Sequence, residues 1–159
     1  MTKLIDRPQY LNQLIQNKDV DLVKIVTGIR RCGKSSLLDL YHQYLLKHGV
    51  PDSHIIHMNL ESLRYRDLTD YLSFYDYVSE QIAAEGKTYL IFDELQTVEH
   101  WEKAIESFRL DFDVDIYITG SNAWLLLASL NLYSRKIGIP PNWRYFWNFS
   151  SIVTSVANS

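Results

Sequence analysis

A three-layer α/β sandwich around a parallel sheet is the fold this sequence predicts, on three observations. Short apolar, β-branched runs alternate with segments whose apolar residues recur at helical spacing, the pattern of parallel strands joined by helical crossovers. The first such run leads into a glycine-bracketed loop and then a helix, the arrangement that presents backbone amides to an anion. A later run, Tyr89 to Phe92, ends in two adjacent carboxylates, where a parallel sheet opens its ligand crevice.

The elements follow in order. Residues 8–17 form a short amphipathic helix with Tyr10, Leu11, Leu14 and Ile15 on one face and Pro8 in its first turn. Val20 to Thr27 is mostly apolar and β-branched, as a buried strand would be. Gly28 to Gly33 is a loop. Lys34 to His48 is a helix carrying Leu37, Leu38, Tyr41, Tyr44 and Leu45, stopped by Gly49 and Pro51. His54 to Asn59 reads as a second strand, which would send His54 and His57 to opposite faces. Leu68 to Ala84 is a helix ended by Gly86, and Thr88 to Phe92 is a third strand. Trp101 to Leu110 is a helix and Asp115 to Thr119 a fourth strand.

The tail differs. Beyond Asn131 both periodicities fade, Pro140-Pro141 breaks the chain, and Trp143, Tyr145, Phe146, Trp147 and Phe149 crowd together as a sticky surface. We therefore expect one globular unit over residues 1–130 and an atypical tail over 131–159, disordered or frame-shifted.

Bulk properties narrow the function classes. The 159 residues suit a single domain, and 47% hydrophobic with 22% charged residues is an ordinary globular composition. A net charge of −3 gives no electrostatic case for nucleic acid or a membrane surface. The single cysteine, Cys32, permits no internal disulfide and suits a reducing cytoplasm. The longest apolar run, Ala123 to Leu127, is far short of the roughly 20 residues that span a bilayer. His42, His48, His54, His57 and His100 lack metal-ligand spacing with cysteine or carboxylate partners and read as structural or surface residues. Tyr71, Phe74, Tyr75 and Tyr77 read as helix packing, and Trp101 as an anchor of its helix to the sheet.

Gly28-Ile29-Arg30-Arg31-Cys32-Gly33-Lys34-Ser35 matches G-x4-G-K-[S/T], and Ser36 continues it into the helix. Chance supplies this pattern in under about one in a hundred chains of this length. The glycines let the backbone turn tightly and approach an anion closely. Successive N–H groups and the positive end of the helix then face the phosphates. Lys34 would reach the β- and γ-phosphates, and the Ser35 hydroxyl would bind Mg²⁺. Arg30 and Arg31 either touch phosphate or form a solvated loop face, and the second suits their variable positions better. Cys32 reads as filler.

Asp93 and Glu94 follow about 55 residues downstream. Asp93 would hold the metal, directly or through water, and would lie beside the phosphate loop if the two strands are neighbours. Glu94 would orient and deprotonate an attacking water. After the fourth strand come Thr119-Gly120-Ser121-Asn122. Ser121 or Asn122 could hold the nucleophilic water near the γ-phosphate, or could simply cap the next helix. Residue chemistry leaves both readings open.

The runs T-G-I-R-R-C-G-K-S-S-L-L, Y-L-I-F-D-E-L-Q and I-Y-I-T-G-S-N together resemble the AAA+ P-loop ATPases. In particular they look like the predicted prokaryotic ATPases that carry a C-terminal nuclease-like domain of unknown function. The N-terminal R-P-Q-Y-L-N-Q-L resembles the stretch before their phosphate loop, so the likeness spans about residues 4–127. It implies a sensor role for Asn122, shared in part with Ser121, and an Asn59-Leu60-Glu61 strand end on the nucleotide side. It also implies ATP and Mg²⁺ as ligands, and an oligomer or a C-terminal domain as partner. Relatives continue with an S-G-R-like turn, a fifth strand and a large C-terminal region. Here Tyr133-Ser134-Arg135-Lys136 lacks that glycine, so the fold is expected to be incomplete at its C-terminus and the chain a truncated copy.

The expected function is ATP binding with Mg²⁺-dependent hydrolysis. Lys34, Glu94 and Asn122 would be catalytic, Gly28 to Ser36 nucleotide-binding, and Ser35 and Asp93 metal-binding. Two alternatives stand beside it: a nucleotide-binding module or switch with little turnover, and a P-loop phosphotransferase. Turnover usually needs an arginine finger, and Arg135 is the nearest candidate.

Overall fold

A computed structural model describes residues 8–21, 23–27, 33–120 and 145–148 of the chain. The elements run α1 (Pro8–Gln16), β1 (Lys24–Thr27), α2 (Lys34–Lys47), β2 (Ile55–Asn59), α3 (Tyr71–Ser79), β3 (Thr88–Asp93), α4 (Trp101–Asp111), β4 (Val114–Gly120) and β5 (Tyr145–Asn148). The five strands form one sheet in the order β2-β3-β4-β1-β5, every pair parallel. The α/β sandwich expected from the sequence is the observed fold, with four of its strands in the expected places.

Alternation along the strands sorts the core into two halves. On β3, Leu90 and Phe92 face one side and pack with Phe74 and Val78 of α3 and Trp101, Ala104, Ile105 and Phe108 of α4. Tyr89 and Ile91 face the other side and pack with Tyr10 and Leu14 of α1 and Leu37, Leu38, Tyr41 and Leu45 of α2. β3 is buried along its whole length, as a central parallel strand covered on both faces must be.

Several boundaries differ from the sequence reading for local reasons. β1 starts at Lys24 instead of Val20, because the chain first turns through Asp19 at φ 65° and leaves Val20 exposed. α3 starts at Tyr71 instead of Leu68. The Asp70 carboxylate accepts from the Leu72 and Ser73 amides at 2.8 and 2.9 Å, and this cap fixes the first turn. α2 ends as read. Gly49 takes φ 89° and the Val50 amide returns to the Leu45 carbonyl at 3.1 Å, a six-to-one closure that satisfies an orphan carbonyl. His54 lies in a 3-10 turn (Asp52–His54) before β2, so the expectation that it shares a strand with His57 is not met. The sheet also takes a fifth strand from the segment where periodicity fades. The β5 backbone pairs with β1 in the register Lys24↔Tyr145 to Thr27↔Asn148.

β2 brings His57 against α2. Its Nδ1 lies 2.9 Å from Nδ1 of His42, and its Nε2 3.9 Å from Asp39. Asp52 stands 3.7 Å from the other ring. Burial foremost, and then His42, hold the His57 imidazole below its ordinary value, while Asp39 and Asp93 pull the other way. The unfolded chain takes up that proton near the ordinary histidine value of about 6.5, whereas the native state resists it. Stability from this group is therefore complete above that value and declines as pH falls below it, until the folded imidazole also protonates. The urea midpoint of His57→Gln should accordingly fall less between neutral and mildly acidic pH than that of the unaltered chain. Parallel curves would show that His57 does not govern the acid limb.

Candidate functional site at the carboxyl ends of the strands

α2, which follows β1, covers one face of the sheet, while the helices that follow β2 and β3 cover the other. Such a change of side opens a crevice at the carboxyl ends of the strands, here beside β1 and β4. Gly33 stands at the mouth of α2 with φ 97°, a left-handed conformation that side-chain-bearing residues rarely adopt. Lys34 and Ser35 follow as the first helical residues, and Ser36 is exposed beside them.

β1 and β3 are not neighbours, because β4 lies between them. The meeting of the two motifs does not depend on that adjacency. Asp93 has the same parity on β3 as Tyr89 and Ile91, so it points to the side that α2 covers. The Ser35 hydroxyl donates directly to Asp93 Oδ2. Thr119 of β4 fills the space between: its hydroxyl donates to Asp93 Oδ1 and accepts from the Glu94 amide at 3.0 Å. Both carboxylate oxygens of Asp93 are thus held while the residue is only 2% exposed.

Glu94 leaves the strand at φ 56°, in the left-handed region. This turn swings its carboxylate back toward the α2 mouth, where Oε1 lies 3.9 Å from Lys34 Nζ. The Gln96 side-chain amide donates to the other oxygen, Oε2. Lys34 and Glu94 are both buried. The fold thus brings the buried Lys34 and Glu94 together beside a second carboxylate, Asp93.

Asn59 ends β2 in register with Asp93, and the Leu60 amide bonds the Asp93 carbonyl at 2.9 Å. The Asn59 side chain accepts from the Glu61 amide at 3.0 Å, so it shapes the turn after the strand. Gly28, Ile29, Arg30, Arg31, Cys32, Ser121, Asn122 and Arg135 lie outside the described residues. Sequence reasoning missed Thr119 and Gln96. Thr119 was legible by parity, since it lies two residues after Tyr117 on a strand whose odd positions face α2. Gln96 carried no signal without the turn that folds it onto Glu94.

A hard divalent cation takes oxygen ligands. A neutral hydroxyl and a carboxylate oxygen converge at Ser35 and Asp93, which fits Mg²⁺. Among the described residues no group of three or more His, Cys, Asp or Glu could hold a metal. A cation at Ser35 and Asp93 would therefore draw further oxygens from phosphate and water. No helix among the described residues is long and apolar enough to cross a membrane.

The chain is 42% identical over 128 residues to an uncharacterised protein of Haemophilus influenzae, covering 80% of this chain and 32% of that one. Two uncharacterised proteins of Methanocaldococcus jannaschii are 28% and 30% identical, covering 82% and 87% of this chain but 28% and 30% of their own lengths. The chain thus spans about a third of the curated relatives it matches. Among solved structures it superposes on a Walker-type ATPase of Pyrococcus abyssi with a TM-score of 0.62 at 17% identity, covering 91% of this chain and 53% of that one. That likeness is one of fold. A model of the AAA domain matches residues 21–137, a span that takes in the phosphate loop, the paired carboxylates and β4, and the chain belongs to the AAA domain family.

Proposed function

We propose that this chain binds ATP with Mg²⁺ at the α2 mouth and hydrolyses its β–γ phosphoanhydride. The observation that carries the reading is the contact of the Ser35 hydroxyl with the buried Asp93, with Glu94 held beside Lys34. Lys34 would neutralise phosphate charge, and Ser35 and Asp93 would hold the metal. Mg²⁺, when bound, polarises the phosphoryl oxygens and offsets their charge. Glu94 would accept a proton from the attacking water, and Asn122 would sense the γ-phosphate. The loop from Gly28 to Cys32 would wrap the phosphates with its amides, and Ser36 would extend that cradle.

Titration of the chain with a fluorescent ATP analogue, with and without Mg²⁺, tests loop and acidic pair together. Lys34→Ala should weaken binding by about 10- to 100-fold, the value of one or two charge-assisted hydrogen bonds. Asp93→Asn should remove most of the Mg²⁺ dependence. Unchanged affinity in Lys34→Ala would overturn the reading.

A second reading is a nucleotide switch with little turnover. It is favoured by the relatives being about three times as long as the region they share with this chain. In this reading the remaining length of such proteins, or a neighbouring subunit, would supply an arginine finger and the output, as the resemblance to ATPases with a nuclease-like domain suggests. Tight Mg²⁺-ATP binding without phosphate release would select it.

A further inference from the structure

Gln96 stands where a merely structural glutamine would not. It lies in the 3-10 turn Leu95–Thr97 directly after the paired carboxylates. That turn is pinned on three sides. Leu95 and Val98 are buried in the core, the Val98 amide returns to the Leu95 carbonyl at 3.0 Å, and the Thr97 hydroxyl donates to the Glu94 carbonyl at 3.2 Å. The Gln96 side chain therefore starts from a fixed place relative to Glu94. Its Nε2 donates to Glu94 Oε2, and the donor must be the amide nitrogen because the amide oxygen would repel the carboxylate. The same side chain's Oε1 is buried and has no hydrogen-bond partner among the described residues. Burying an amide carbonyl in that condition costs stability. An apolar residue would avoid the cost, so what the glutamine adds at this place is its nitrogen donor.

The Glu94 carboxylate is approached from two sides. Lys34 approaches Oε1 from α2, and Gln96 holds Oε2 from the turn. Without the amide, Oε2 would lose this hold, and the attraction of Lys34 for the carboxylate would turn it from any water it should activate. The geometry points to Gln96 as a positioning residue: it anchors one oxygen of Glu94 so that the carboxylate keeps its aim when Lys34 engages phosphate. This inference rests on Glu94 serving as the base.

Gln96→Leu keeps the bulk and removes the donor. It should lower kcat by about 10- to 100-fold, as expected when a reacting group is displaced by about an ångström, with the ATP dissociation constant and the melting temperature little changed. In a Glu94→Gln background the same substitution should lower kcat no further, because residues acting as a unit are not additive. Equal falls in both backgrounds, or no fall in the first, would overturn the proposal. The carboxyl ¹³C resonance of Glu94, followed in the nucleotide-free chain, should move in Gln96→Leu. If the unaltered chain releases no phosphate, the hydrolysis reading fails by itself, and a Glu94 resonance that stays put would then overturn the role of Gln96.

Discussion

Glu94→Gln is expected to lower ATP turnover by about 10²- to 10⁴-fold, the usual worth of a positioned general base, while Mg²⁺-ATP still binds. The substitution is nearly isosteric, so the left-handed turn at φ 56° and the amide bond to Thr119 are retained. What is lost is a lone pair basic enough to take the proton of water. Affinity should hold or rise slightly, because Lys34 no longer faces a carboxylate at 3.9 Å before it reaches the phosphates. Single-turnover phosphate release, beside equilibrium binding, separates the two effects. A variant that hydrolyses at the unaltered rate would show that Glu94 is a charge partner of Lys34 and nothing more. A variant that fails to bind would show the glutamate shaping the site, in contradiction to the isosteric argument.

The parts of this site that depend on local chemistry were legible in the sequence. A glycine-lysine-serine turn after a strand has few uses, and the apolar run before Asp93 fixes that residue at a strand end. β4 was legible as a strand, but its place between the two motifs was not, because strand order is set by crossovers and leaves no mark on local periodicity. Parity did the work that adjacency was expected to do: Asp93, Thr119, Tyr117 and His57 all face α2. The His42–His57 contact joins residues 15 apart on different elements, and spacing within one strand could not show it. β5 was missed for a related reason. Tyr145 to Asn148 is an aromatic-rich run of the kind that strands favour, but its partner is β1, far away in the chain, and a four-residue strand is too short to show a period.

The same parity builds a second polar cluster at the opposite end of the strands, and there the largest stability effect is expected: Asp115→Ala should cost about 3–5 kcal/mol, the range for leaving one half of a buried ion pair alone. Lys24 and Asp115 are 0% and 2% exposed. The Lys24 ammonium donates to Asp115 and to the Val20 carbonyl, and the other Asp115 oxygen accepts from the Asp19 amide at 2.9 Å and the Tyr117 hydroxyl at 2.7 Å. Burial is the larger influence on Lys24 and pulls it below the ordinary lysine range, with Asp115 offsetting only part of that. Removing the carboxylate therefore strands a buried cation and takes an acceptor from the Asp19 amide and from the Tyr117 hydroxyl, which retains its bond with the Tyr41 hydroxyl. Replacing both members, as in Lys24→Met with Asp115→Leu, removes the stranded charge and should cost less than Asp115→Ala alone. Urea denaturation of the three variants measures the difference. Because this cluster sits at the start of β1 and β4 and the nucleotide reading uses their carboxyl ends, ATP affinity per folded molecule should not change. A double variant as unstable as the single one would mean that the Asp19 and Tyr117 hydrogen bonds, and not the charge pair, hold this end of the sheet.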